Sequence, residues 1–182
     1  MKKLVLSFLT ICVMVSFSNK VVSQTSDTEN TDVGAVLITA LGLTETAPMH
    51  FGSNVLTNAL GGTVLLPSNS TTREYTGGVA TSAATPVATN AAYTVTGTGL
   101  ETYAITLPAT TTVTHTSVAS GVYTMDITLM KARFNGAGAD ATTSTLAANG
   151  TDSFTLGGTL TVKADQVGGI YHGTFDVTIE YN

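Results

Sequence analysis

The eleven residues from Tyr171 to Tyr181 constrain the fold more than any other stretch. Tyr171, Gly173, Phe175, Val177, Ile179 and Tyr181 alternate with His172, Thr174, Asp176, Thr178 and Glu180. Successive side chains of an extended strand point to opposite faces, so this period of two puts an apolar row on one side and a polar row on the other. A helix would scatter both rows around its circumference. The segment predicts a β-strand with one face buried.

Upstream segments agree. Strands are predicted at Val33–Leu41, Thr63–Leu66, Ala92–Thr96, Tyr103–Leu107, Thr110–Val118, Val122–Met130 and Phe154–Ala164. In Val122–Met130, Tyr123, Met125, Ile127 and Leu129 are expected on one face. Turns are read at Gly61-Gly62, Gly97-Thr98-Gly99 and Gly168-Gly169, and Gly157-Gly158 is read as a bulge or bend. Pro48, Pro67 and Pro108 punctuate the chain, and Ser68–Thr72 and Gly136–Asn149 read as loops. No stretch carries a helical apolar stripe. Thr and Val are abundant and long helix-forming side chains are scarce, which favours pleated sheet. Short strands between Gly and Pro turns predict an all-β fold, a sandwich or barrel.

The N-terminus reads as an export signal. Lys2 and Lys3 precede the apolar run Leu4–Phe17, and Ser23 marks the expected cleavage site. The organisation read from sequence is a signal peptide over residues 1–23, a polar lead over 24–32 and one domain over 33–182. Cys12 follows Ile11 rather than the small residue that a lipoprotein signal needs. No membrane span is expected after signal removal. The remaining chain holds four basic residues against twelve acidic ones, a net charge of −8. That balance argues against nucleic acid and anionic membrane surfaces as partners. The only Cys lies in the signal, so an apolar core must hold the domain without disulfides.

Residues that carry chemistry are sparse. His50, His115 and His172 have no second ligand at metal spacing. No Gly-x-Ser-x-Gly elbow is present. Gly136–Ala141 matches a relaxed dinucleotide fingerprint but has no helix after it, so it reads as a loop. Asp140, Asp152 and Asp165 are spread over the C-terminal loops and lack the dense oxygen run of a calcium site. No catalytic residue, cofactor or metal is expected, and the chain is read as a non-enzyme. Tyr75, Tyr93 and Tyr103 are the candidate stacking platforms if the scaffold is a secreted carbohydrate-binding module, a reading weakened by the absence of Trp.

The block Gly157–Gln166, with Gly169–Phe175 and the closing Tyr181-Asn182, resembles domain-of-unknown-function family 4402. Phe51-Gly52 and Tyr93–Gly97 match the same family pattern. The resemblance spans Val33–Asn182 and implies an exported bacterial protein related to pilin-like adhesin domains. The implied fold is an immunoglobulin-like, pilin-type antiparallel β-sandwich. In that setting the sequons Asn69-Ser70-Thr71 and Asn149-Gly150-Thr151 read as chance matches.

Chaperone–usher pilins end in an alternating strand with a penultimate Tyr and a Gly fourteen places from the end. Tyr181 and Gly169 hold those positions here. The resemblance implies assembly by strand pairing through Gly169, Tyr171, Phe175, Val177, Ile179 and Tyr181, with a periplasmic chaperone or like subunits as partners. A glycan or other surface ligand is the further partner expected of an adhesin. The pilin disulfide is missing and the acidic lead makes a poor donor strand, so Val33–Leu41 is expected to complete its own sandwich. The functional expectation is a structural or adhesive surface protein of fimbrial type, located in the periplasm, on the outer cell surface or outside the cell.

Overall fold

A computed structural model describes residues 27–81, 85–117 and 123–182. The signal peptide, the start of the polar lead, Val118 and Val122 lie outside the described residues. The chain divides into two units at Val36/Leu37. In the first, residues 27–36 carry no strand or helix and are exposed.

The second unit is built from antiparallel strands. In chain order they are β1 (Gly42–Ala47), β2 (His50–Phe51), β3 (Val55–Leu66), β4 (Glu74–Thr81), β5 (Ala88–Thr89), β6 (Ala91–Thr96) and β7 (Thr102–Thr106). Then follow β8 (Thr110–His115), β9 (Thr124–Phe134), β10 (Thr143–Thr145), β11 (Thr151–Val162), β12 (Tyr171–His172) and β13 (Thr178–Tyr181). The main sheet runs β1-β6-β11-β9-β8-β12, with β3 also paired to β11 and β4 to β3. A second sheet has the order β10-β7-β13, and β2 pairs with β5. The curled, sandwich-like arrangement bears out the all-β, immunoglobulin-like class.

The central strand is β11, whose even-numbered residues Phe154, Leu156, Leu160 and Val162 are all buried. Its first half pairs with β6 and its second half with β3, while β9 runs along the opposite edge. One apolar cluster gathers around Tyr93, Val95, Tyr103, Phe134, Phe154 and Leu156. Another gathers around Val64, Val79, Met125, Ile127, Leu160 and Val162.

Gly157 marks the change of partner. A Cβ there would stand 2.5 Å from both the Pro67 carbonyl carbon and the Ser68 amide nitrogen, so only glycine lets β3 leave and β6 enter at this point. The Asn90 side chain sits at the same junction and donates to the Pro67 and Leu156 carbonyls at 2.6 and 3.1 Å.

Opposite this junction β9 carries a bulge. Thr159 pairs with Thr128 and Gly157 with Lys131, so Leu129 and Met130 together face Gly158. Leu129 takes the left-handed backbone conformation, with φ of 51°. The extra residue reverses the strand's phase: Met125 and Ile127 point inward before it, Ala132 and Phe134 after it. Leu129, expected on one face with Met125 and Ile127, is therefore 69% exposed while those two are buried. Without the bulge Lys131 and Arg133 would share the buried face with Ile127.

Other expectations change. Residues 33–41 form no strand, and the first strand begins at Gly42. Gly61-Gly62 lies inside β3 at an irregularity in its pairing with β4, not at a turn between strands. Sequence inspection passed over β4, where paired glycines break the alternation, and over the short β10 inside the loop read at 136–149.

Candidate functional site

The C-terminal segment is not one continuous strand. β12 pairs with β8, aligning Tyr171 with His115, and β13 pairs with β7, aligning Ile179 with Ile105 and Tyr181 with Tyr103. Residues 173–177 cross between the sheets without strand pairing. The period-two pattern survives the crossing. Phe175, Val177, Ile179 and Tyr181 pack half-buried against the first cluster, while Gly173, expected on the same face, is exposed.

The residues implied in strand pairing therefore fall in two places. Tyr171 packs against the second cluster, and Gly169 lies against His115. Tyr171 Oη donates to the Val167 carbonyl at 2.5 Å and receives Gln166 Nε2 at 2.8 Å. Its ring meets His115 edge-on, with centroids 5.2 Å apart. Phe175, Val177, Ile179 and Tyr181 lie at the first cluster. β13 is the last strand of its sheet among the described residues, so one edge has no neighbouring strand.

Tyr181 closes this end. Its hydroxyl donates to the Thr39 carbonyl at 2.6 Å and accepts the Thr98 amide at 2.8 Å. Thr39 N in turn donates to Thr98 Oγ1 at 2.6 Å. This triangle anchors residue 39 without making it a strand. On its N-terminal side Val36 and Leu37 are exposed, and Ile38 is half out of contact with protein.

The remaining sequence candidates are absorbed into local structure. His50 Nδ1 accepts the Gly52 amide at 2.7 Å, and Arg73 Nη1 donates to the Phe51 carbonyl at 2.7 Å. Gly52 has φ of 76°, so Phe51-Gly52 is a turn held by His50 and Arg73. His115 Nδ1 accepts the Ser117 amide at 3.1 Å, and its Nε2 lies 3.3 Å from the Gly168 carbonyl oxygen. His172 is exposed at the end of β12. Tyr93 is 9% exposed and stacks on Phe154, and Tyr103 is fully buried, so neither offers a ring to a ligand. Tyr75 is 39% exposed, with the Arg73 guanidinium 5.9 Å from its ring centre.

The C-terminal Asp residues do not converge. Asp140 takes hydrogen bonds from Ser68 Oγ at 2.5 Å and Arg133 Nε at 2.9 Å. Burial pushes its carboxyl up, but these bonds and the charges of Arg133 and Lys131 outweigh burial and hold it below its ordinary value. Asp152 Oδ2 receives Tyr103 Oη at 3.0 Å and Ser144 Oγ at 2.6 Å, tying both sheets together. Burial, then the Asp152 charge and hydrogen bond, push the Tyr103 hydroxyl well above the usual phenol range. Sequence inspection missed both ties because their members meet only in space. Among the described residues no group of three or more His, Cys, Asp or Glu is placed to hold a metal ion. No helix among them is long and apolar enough to cross a membrane.

A sequence profile described as a domain of unknown function (DUF4402) matches residues 41–181. No curated protein and no solved structure matches the chain.

Proposed function

This chain belongs to the DUF4402 family, and on that premise we propose that it is an exported structural or adhesive surface protein that joins like subunits by strand addition. The observation that carries this reading is β13: it ends its sheet, and its apolar row is only half-buried. An incoming strand would pair with that edge through its backbone and cover the row with alternate side chains. The exposed run Val33, Val36, Leu37 and Ile38, which has no strand of its own, is a source of such a strand in a second copy. A periplasmic chaperone would meet the same edge before assembly.

The signal-like N-terminus supports export. The test is to express the full chain, recover the exported protein and follow its mass at high concentration. Ladders or fibres that vanish on deletion of residues 33–41 are the expected result. A protein that stays strictly monomeric refutes assembly.

A further inference from the structure

We propose that a polar trough across β6, β11 and the end of β9 binds a neutral oligosaccharide. This deepens the adhesive half of the reading above. The trough consists of two open hollows of about 490 and about 500 Å³. They adjoin, because Thr94, Asn135 and Ser153 line both. Each lies within the range of roughly 300–1,000 Å³ usual for small-ligand sites.

The floor follows from strand periodicity. Tyr93, Phe134 and Phe154 face the core, so their neighbours Thr94, Arg133, Ser153 and Thr155 face away from it. Thr94 pairs with Ser153, and the Asn135 amide donates to the Ser153 carbonyl at 2.9 Å. Short side chains thus cross adjacent strands in one row along the lining of both hollows.

Their hydrogen-bonding capacity is unspent. Among the described residues the side chains of Thr94, Asn135 and Ser153 make no intramolecular hydrogen bond; Thr94 and Ser153 are half-buried and Asn135 is exposed. Two hydroxyls and an amide present donors and acceptors together. Vicinal sugar hydroxyls offer the same mixture in return.

Charge and apolar content narrow the ligand. Arg133 at one end is paired with Asp140 at 2.9 Å, and Asp152 at the other is held by Tyr103 and Ser144. Neither end leaves an uncompensated cation for an anionic ligand. The large exposed apolar residues Leu56, Leu60, Leu100, Leu129 and Ile170 all lie outside the lining, so a peptide would find no anchor. With no exposed aromatic platform, single-site binding is weak, and an array of subunits would strengthen it through multivalency.

The probe is a printed array of defined neutral oligosaccharides (glucans, mannans and galactans), with charged glycans and peptides printed beside them as comparators, read with the exported protein multimerised on a streptavidin support. Capture of at least one neutral glycan is expected, with at least a tenfold loss in the double variant Asn135→Ala, Ser153→Ala. Thr94→Ala reads the same site from β6, and Leu56→Ala, distant from the trough, should bind like the parent. Thermal melting of each variant must match the parent, as expected for side chains without internal bonds. No capture, capture that survives these substitutions, or capture of charged glycans or peptides alone overturns the proposal. A monomer that binds glycan leaves this inference standing while assembly falls; an assembling protein that binds none does the reverse.

Discussion

Gly169 lies against the imidazole of His115: a Cβ on Gly169 would overlap Nε2 and stand 2.7 Å from Cδ2. The glycine has φ of 153°, a conformation that side chains strongly disfavour. His115 cannot swing away freely, because its ring lies between Tyr123 and Tyr171 and Nδ1 holds the Ser117 amide. The position that resembles a pilin signature thus has a local packing reason to be glycine.

Gly169→Ala should accordingly destabilise the protein by about 2–3 kcal/mol, measured by urea unfolding. Adding His115→Ala removes the steric part and leaves the backbone strain. The double variant should therefore unfold later than the sum of the single effects requires. Strict additivity would show that the ring does not set the cost.

Leu129→Gly should stabilise the chain by about 0.5–1 kcal/mol, because the left-handed conformation is costly for a branched residue and the side chain is mostly in water. A shift of the denaturation midpoint to higher urea checks this. Pro at the same position, which cannot take a positive φ, should unfold the β9 bulge.

Asp140→Asn should lower stability at neutral pH by about 0.5–1 kcal/mol, the scale of a partly exposed ion pair. The carboxyl lies below its ordinary value in the folded state. Its contribution is therefore complete above the unfolded value of about 3.9 and fades as pH falls through the lower folded value. Parent and variant should converge in urea midpoint on acidification below about pH 4.

Tyr103→Phe should cost about 1–2 kcal/mol, since it leaves the part-buried Asp152 carboxylate without one donor. Because the folded hydroxyl is held above its ordinary value, its stabilisation persists below the unfolded value of about 10 and is lost as pH rises beyond it. The parent should lose stability on strong alkalinisation more steeply than the variant. Absorbance near 295 nm (about the phenolate band, ionised above roughly pH 10 in free Tyr) should show at least one tyrosine whose ionisation is delayed until unfolding.

Much of the architecture was legible beforehand. Ala92–Thr96, Tyr103–Leu107 and Phe154–Ala164 each find a strand within three residues of the expected bounds. Gly157-Gly158 does lie at a pairing irregularity. The segment Val33–Leu41 failed as a strand because apolar content predicts burial only where an edge and a surface exist to receive it, and among the described residues none does so for residues 33–38, which are exposed. The trough was illegible, since Thr94, Asn135 and Ser153 carry no motif and become a row only through strand register.

The alternation from Tyr171 to Tyr181 by itself determined that one row of side chains is apolar and shielded while the other meets water. Every member of the polar row is exposed, and every apolar member except Gly173 is half-buried. Tertiary structure alone decided that this row serves two clusters, with Tyr171 on β8 and Ile179 on β7. The physical reason is that period two specifies a face but not an edge. Backbone N–H and C=O groups are identical along every strand, so the choice of hydrogen-bonding neighbour waits on bulges, glycines and side-chain ties such as Leu129, Gly157 and Asp152.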